Sequence, residues 1–394
     1  MKKIALFLTL FLLGFLNVNQ AQAYTDSVIQ GNYEFEYEYT NGGIWITKIT
    51  PLADEGISML KIPAKIEGKK VVKLGPKEPE NGEWENEEYE ENVFGVRLAP
   101  DDADTPCWPM DIYERTKKIK RIRIPETVKE ITGMTFIHLQ DGKSINIPKG
   151  VVKNVTGLTY YKWKKFTISP KNKKYKKVNG CLLSKDGKIV YGLLEERDKV
   201  VMPKTVTKMM LGAATAYDDT STIVLPKGLR KIENDGFQIS SKVTIKVAKG
   251  NKKYAAKHGC LYNKKTGKLV TGSAPNGVLH IPHGVTYVTG YYVSVGVRYD
   301  DTGSHWFGGG TQKMIVPSTV KKLDRILNFF DGPDCEIVMQ AKKPPKLSCL
   351  LVHQGIKNVA VYVPKGVKAA YEKAWGKKFK EYSSLTVTFI EKKQ

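Results

Sequence analysis

The chain has 394 residues, with 63 Lys and Arg against 40 Asp and Glu, a formal net charge of +23 and five Cys. Five Cys are too few to hold so long a chain together as a disulfide scaffold, so a buried core must stabilise it. The length is sufficient for two ordinary domains or for one elongated repeat array.

Residues 1–23 have the pattern of a secretory signal peptide. Lys2 and Lys3 precede an apolar run of 13 residues, 4–16, and "AQA" at 21–23 offers a cleavage site. That run is too short to cross a bilayer, and no later stretch approaches the ~20 apolar residues that a spanning helix needs. We therefore expect a secreted chain that begins at Tyr24 and has no membrane span. We expect it to be extracellular or on the cell surface, with the periplasm as the alternative.

Charge is unevenly distributed along the chain. Residues 24–105 contain 18 acidic and 8 basic residues, a net charge of −10, and the acidic residues are concentrated at 78–92. Residues 106–394 carry a net charge of +31. This asymmetry favours a negatively charged partner, although solvation is the simpler interpretation. We assign residues 24–118 to an N-terminal cap and a first repeat that contains an acidic insertion.

One template recurs along the rest of the chain: apolar-x-apolar-Pro, then apolar residues three and six positions later. Its prolines are Pro125, Pro148, Pro170, Pro203, Pro226, Pro282, Pro317 and Pro364. Their spacings are 23, 22, 33, 23, 56, 35 and 47 residues, and Lys249 takes the proline position within the step of 56. A period of about 23 residues predicts a solenoid of stacked coils with short parallel strands, each ended by a proline. We expect this solenoid to cover residues 119–365.

Two similar segments lie where the period grows to 33 residues: "VNGCLLSKDGKIVYG" from Val178 and "KHGCLYNKKTGKLVTG" from Lys257. Both have the order strand, polar turn with Gly, strand, which predicts a β-hairpin inserted into two equivalent coils. Cys181 and Cys260 occupy the same position in each. Neither has a His or a basic run fixed at the same offset in both copies, so we predict packed apolar side chains and not reactive thiols.

Residues 366–394 are predicted to cap the last coil. Apolar residues in "VKAAYEKAWGKKF" recur at the spacing of one helix face: Val367, Ala370, Tyr371, Ala374 and Trp375. The segment "LTVTFI" that follows is predicted to form a final strand.

The proline template, the segment "SPKNKKYKKVNGCLLSKDGKIVYG" and the ending "AKKPPKL…VYVPKGVKAAYEKAWGKKF" resemble the BspA-like leucine-rich-repeat proteins of bacterial surfaces. The resemblance covers about Leu60 to Phe389. It implies a β-rich leucine-rich-repeat solenoid of the α/β horseshoe class, export, and adhesion or ligand binding without catalysis. The small helix of the family's repeats is recognisable near Phe136 and Phe237.

Lysine also recurs with the period, in two sets. One set directly follows the proline: Lys149, Lys171, Lys204, Lys227 and Lys365. The other set follows it by five positions: Lys153, Lys208, Lys231 and Lys322. Stacked strands place equivalent residues ~4.8 Å apart, so we predict two ladders of like charge that suit a polyanion. A solvated edge that discourages strand pairing is the competing interpretation.

These features favour an adhesin-like, non-catalytic protein that binds a host or microbial surface protein or glycan, with a polyanion as one possible ligand. A structural, self-assembling protein of the cell envelope is the alternative. A secreted hydrolase with its site in "GSHWFGGGT" at 303–311 has less support, because the segment matches no catalytic motif.

We expect no cofactor and no metal. The two copies of "YDDT", at 217–220 and 299–302, each supply two carboxylates. Calcium takes ~6–8 oxygen ligands, so a pair of carboxylates is insufficient. His280 and His283 have no third ligand at a suggestive spacing.

Overall fold

The computed structural model describes residues 25–392 except for 78–91, 96–108, 133–134, 137–142, 154–157, 159–162, 196, 211–212, 217–219, 234–236, 240–242, 291–297, 300–304, 307–310, 331 and 353–354. The predicted signal peptide and the acidic segment at 78–91 lie outside the described residues. So do most of "GSHWFGGGT" and most of both "YDDT" segments.

The described part of the chain forms 33 strands and two α-helices. The first third contains β1 Asp26–Gln30, β2 Tyr33–Thr40, β3 Gly43–Pro51, β4 Met59–Lys61, β5 Lys65–Ile66, β6 Lys69–Leu74, α1 Met110–Lys118, β7 Arg121–Arg123, β8 Glu130–Ile131, β9 Ser144–Ile147 and β10 Lys165–Ile168. The middle contains β11 Tyr175–Val178, β12 Cys181–Ser184, β13 Ile189–Leu193, β14 Lys199–Val201, β15 Lys208–Met209, β16 Ala214–Ala216, β17 Thr222–Leu225, β18 Lys231–Ile232, β19 Phe237–Ile239, β20 Thr244–Val247, β21 Tyr254–Lys257, β22 Cys260–Asn263 and β23 Leu269–Thr271.

The last third contains β24 Val278–His280, β25 Tyr287–Thr289, β26 Arg298–Tyr299, β27 His305–Trp306, β28 Lys313–Val316, β29 Lys322–Asp324, β30 Asp334–Met339, β31 Lys346–Leu347, β32 Asn358–Val363, α2 Lys368–Lys380 and β33 Thr386–Glu391. Neither α1 nor α2, the helices of the described ranges, has the length and apolar character to cross a membrane.

The fold is a β-solenoid in which the strands before the prolines stack in parallel. We call this stack the first ladder. It has three blocks: β4, β7, β9 and β10 form the first, β14, β17 and β20 the second, and β24, β28, β30, β32 and β33 the third. Each template proline, and Lys249, follows a strand of this ladder, as the sequence predicted. Alternate residues point inward, so Val200, Ile223 and Ile245 are buried in adjacent coils of the second block.

Several coils also have short strands after the proline, which the sequence did not reveal. These strands form a second parallel ladder, seen as β6–β8, β13–β15–β18 and β25–β29–β31. A third face is formed by the parallel pair β16–β19. Phe237 therefore begins a strand, and the helix expected near it is absent from the described residues.

The two inserted hairpins are three-stranded antiparallel meanders, β11–β12–β13 and β21–β22–β23. The central strand of each has both faces buried between two blocks. In β12, Leu182 packs into the core of the first block, whereas Cys181 and Leu183 pack into the core of the second. In the second meander, Leu261 faces the second core and Cys260 the third. The meanders are therefore partitions between three successive cores.

The two ends of the solenoid are covered by different elements. At the start, β1, β2 and β3 form an antiparallel sheet that joins the second ladder through β6. At the end, α2 buries Tyr371, Trp375 and Phe379, and β33 extends the first ladder in parallel to β32. Ala370 and Ala374, predicted on the buried face of α2, are exposed, because the face that meets the core has a strict i, i+4 spacing.

A buried asparagine fixes the start of each meander. The Nδ2 group of Asn172 donates to the carbonyl oxygens of Pro148 and Val151 in the preceding coil, at 2.9 and 2.8 Å. Its Oδ1 accepts from the backbone N–H groups two and three residues later, at 2.9 and 2.8 Å. Asn251 makes the same four hydrogen bonds in the second meander. Each side chain thus satisfies four buried backbone groups where the regular coil stops.

The first partition also contains an ion cluster that the second partition lacks. Glu195, whose side chain is only 12% exposed, pairs with Lys177 and, at 3.0 Å, with Arg197. Burial acts to raise the pKa of the Glu195 carboxyl, but hydrogen bonds from the two cations outweigh burial and hold the pKa below its usual value. Ala256 and Ala274 occupy the positions of Lys177 and Glu195 in the second meander. In the second meander, a pair of alanines therefore takes the place of the Lys177–Glu195 ion pair.

Replacing either buried asparagine by Ala is expected to lower the free energy of unfolding by about 2–4 kcal/mol, because four buried backbone groups lose their partner. Urea unfolding of N172A and N251A, followed by circular dichroism, measures this loss. K173A, at an exposed neighbour of Asn172, is the control and should change stability by less than about 0.5 kcal/mol. Equal stability of N172A and K173A would contradict the structural role of the asparagine.

The double variant K177A/E195A copies the second meander and should be more stable than either single variant, since each single change leaves one charge partly buried without its partner. We expect the single variants to lose about 1–3 kcal/mol of unfolding free energy.

Because the folded pKa of Glu195 is depressed, its carboxylate stabilises the fold above the ordinary Glu pKa, and this contribution is lost as pH falls through the lowered value. Urea unfolding between pH 3 and 7 should show a shallower acid limb for E195A, and an unchanged limb would refute this assignment.

Candidate functional site

The lysines that directly follow the prolines all lie on the surface, but they belong to separate blocks. Lys149 and Lys171 are in the first block, Lys204 and Lys227 in the second, and Lys365 in the third. All five are exposed. The meanders separate these groups, so the set forms short clusters and not one continuous ladder.

The lysines of the second ladder are largely compensated by other groups. Lys208 and Lys231 are register neighbours, and both pair with Glu233, at 2.8 and 2.9 Å. These hydrogen bonds hold the pKa of Glu233 below its usual value. The Nζ atom of Lys322 lies 4.6 Å from the centre of the Tyr287 ring. A shared carboxylate and a cation–π contact therefore offset the repulsion that the sequence predicted.

The fourth lysine of this set, Lys153, is also placed beside an acid. Its backbone bridges to Glu130 in the adjacent coil, and Glu130 in turn lies 3.8 Å from Lys73. Basic and acidic residues therefore alternate along this part of the second ladder. We conclude that Lys153, Lys208, Lys231 and Lys322 lie on a mixed and partly neutralised face.

A groove of about 1200 Å³ opens on the second block, between its first-ladder strands and the second meander. Its floor is apolar and includes Val201, Val224, Pro226 and Leu229. Val201 and Val224 are register partners on adjacent strands, with outward side chains. Val201 is 43% exposed.

Six basic residues line this groove, and no acidic residue does: Lys204, Lys227, Arg230, Lys252, Lys253 and Lys265. Across the ranges that the structure describes, none of the six forms an ion pair. We call these residues the cationic rim. Two of them, Lys204 and Lys227, were predicted as site residues from the sequence. The other four were not.

Four separate segments supply the cationic rim. Lys204, Lys227 and Arg230 follow the prolines of adjacent coils, Lys252 and Lys253 follow the buried Asn251, and Lys265 lies in the polar turn of the second meander. The stem of Lys227 packs over Gly250, where a Cβ atom would lie 3.1 Å from the Lys227 Cε. Gly250 also has a φ of +85°, so a larger residue there is disfavoured on two grounds. The repeated "NKK", at 251–253 and 263–265, is the sequence signal for Lys252, Lys253 and Lys265, which were not predicted as site residues.

The cysteines of the two meanders are buried apolar groups, as predicted. Burial raises the pKa of both Cys181 and Cys260 to about 12. The Cys260 thiol donates to the carbonyl oxygen of His280 at 3.4 Å, and the Cys181 thiol has no disulfide partner. A thiol with so high a pKa carries almost no thiolate at neutral pH, so neither residue has the lowered pKa and exposure of a reactive cysteine.

Over the residues with described positions, no group of three or more His, Cys, Asp or Glu side chains is arranged to hold a metal ion. Of the loop considered for hydrolysis, the structure describes the backbone of β27, which pairs with β26 as an antiparallel hairpin.

The chain is similar to solved leucine-rich repeat proteins of bacteria. A leucine-rich cell surface protein from Faecalibacterium prausnitzii is 15% identical and aligns over 95% of this chain and 97% of its own, with a TM-score of 0.35. A leucine-rich repeat protein from Bacteroides ovatus is 15% identical over 93% of this chain and 76% of its own, with a TM-score of 0.34. The pneumococcal vaccine antigen PcpA is 11% identical over 95% and 100% of the two chains, with a TM-score of 0.32.

No protein-family profile matches the sequence, and no curated protein does. The assignment of this chain to a β-solenoid fold rests on the parallel strand ladders in its own structure.

The burial of the thiols predicts their order of reaction with iodoacetamide. In the folded, reduced protein at pH 8, we expect Cys349, which is half-buried, to be alkylated well before Cys181, Cys260 and Cys335. Peptide mass spectrometry at timed intervals measures the order. Fast alkylation of Cys181 or Cys260 without unfolding would show that the meander thiols are accessible.

Proposed function

We propose that the protein is a secreted or surface-exposed binding protein, without catalytic activity, that holds a polyanionic ligand in the groove of the second block. The observation that carries this proposal is the cationic rim: six basic side chains around one groove, without an acidic residue among them. A cell-surface glycan with sulfate, phosphate or carboxylate groups has the required charge and is long enough to contact several of these side chains.

The contrast between the two faces of the solenoid supports this choice. On the second ladder, Glu233 and Glu130 compensate nearby lysines. At the groove, the positive charges are left for solvent and counterions. A polyanion that pairs with them releases those counterions, so the gain in free energy is largest where charge is uncompensated.

The apolar floor adds a second requirement for the ligand. Val201 and Val224 present side chains beside the cationic rim, where a flat apolar surface is available for contact. The apolar face of a sugar ring can pack there while its charged substituents reach Lys204 and Lys227. A sulfated or acidic polysaccharide therefore fits the groove better than a small inorganic anion.

The test compares two triple variants with the same loss of charge. K204Q/K227Q/K265Q removes three residues of the cationic rim, whereas K208Q/K231Q/K322Q removes three from the second ladder. Heparin affinity is measured by titration between 50 and 300 mM NaCl. If each pairing contributes a slope near −0.7, the value for single-stranded polymers, the rim variant should reduce the magnitude of the negative slope of log K against log [salt] by about 2, and the control by less than about 1.

Circular dichroism must show that both variants are folded. Equal losses of affinity in the two variants would mean that net charge, and not the groove, attracts the polymer. Failure of the wild-type chain to bind heparin at 50 mM NaCl would remove the proposed ligand class.

A further inference from the structure

The turns at the start of the two meanders differ at one position. Asn179-Gly180 connects β11 to β12, and His258-Gly259 connects β21 to β22. All four residues have positive φ, with 52° at Asn179 and 51° at His258. Asn is the usual residue at the first position of such a turn, so a histidine there is a departure that the turn itself does not require.

The residue that each turn contacts differs as well. In the first meander, the Asn179 amide donates to the carbonyl oxygen of Val201 at 3.0 Å. In the second meander, the His258 ring lies beside the ring of His280, with centroids 6.2 Å apart and an interplanar angle of 45°. Val201 and His280 are equivalent, since each lies two residues before the proline of its coil. In the second meander, both residues of this contact are therefore histidine. In the first meander, neither residue is.

The surroundings leave both imidazoles available to a ligand. His258 and His280 are exposed, and within the described ranges neither ring forms a salt bridge. Zinc–nitrogen bonds of about 2.0–2.1 Å place two rings on one tetrahedral ion with centroids roughly 5 Å apart. The observed separation thus requires a shift of about 1 Å, which exposed side chains make by small rotations about χ1 and χ2.

We propose that His258 and His280 form a two-imidazole site for a divalent transition metal, with water in the remaining coordination positions. Imidazole ligands suit Cu²⁺, Ni²⁺ and Zn²⁺, and affinity should be highest for Cu²⁺. The bound ion would connect the turn of the second meander to β24, the first strand of the third block. It would therefore stabilise the folded chain, because the unfolded chain holds the two histidines apart.

Isothermal titration of the mature, reduced chain with CuCl₂ and NiCl₂ tests the site. The variants H258N and H280V carry the residues of the first meander, so they are expected to fold. Each should lower the His-dependent affinity at least tenfold and remove the metal-induced rise in melting temperature. H283N is the matched control, because it removes a nearby histidine and leaves the pair intact. All variants retain every Cys, so any thiol binding is common to them. Equal binding by the wild type, H258N and H280V would overturn the proposal.

The reciprocal variant tests whether this juxtaposition is sufficient. N179H/V201H places the pair in the first meander, where the turn and the strand have the same geometry. In the folded double variant we expect one additional equivalent of bound metal. An unchanged stoichiometry would show that the paired rings of the second meander do not make a metal site by their position alone.

Discussion

The structure depends on the burial of each coil's inward-facing side chains by the coils above and below it. Ile223 is buried because Val200 and Ile245, its register partners, lie on either side. A coil on its own has no such neighbours, so its apolar face remains in water and it cannot be stable. The ends of the array need covers of another kind for the same reason. The antiparallel sheet β1–β3 and the helix α2 supply them.

The meanders extend this constraint by dividing one long core into three. A central strand with both faces buried must satisfy backbone groups where the regular ladder stops, and Asn172 and Asn251 do so. Once the core is fixed in this way, outward positions are free to differ between blocks. The second block uses that freedom to gather basic side chains around an apolar floor, and the second meander contributes part of the rim. The same freedom gives the second meander its pair of histidines.

The sequence predicted the first ladder almost completely, because a strand with one buried face and a terminal proline leaves a periodic signal. Even Lys249 in a proline position was placed correctly. The second ladder was missed because strands such as Lys208–Met209 have two residues, too few for any period. Of the six residues in the cationic rim, the sequence predicted Lys204 and Lys227 alone. Lys252 and Lys265 come to line the groove only through the way the coils stack, which the sequence pattern does not contain. The position of Glu233 between two lysines depends on the same stacking.

We propose that the surface of the second block, and not the overall positive charge, holds the ligand. Hydrogen exchange of the mature chain with and without a heparin-derived oligosaccharide at low salt tests it most directly. We expect slower exchange at 201–204, 224–230, 248–253 and 263–266, the segments that line the groove. Slower exchange confined to the first or third block, while the oligosaccharide is bound, would contradict it.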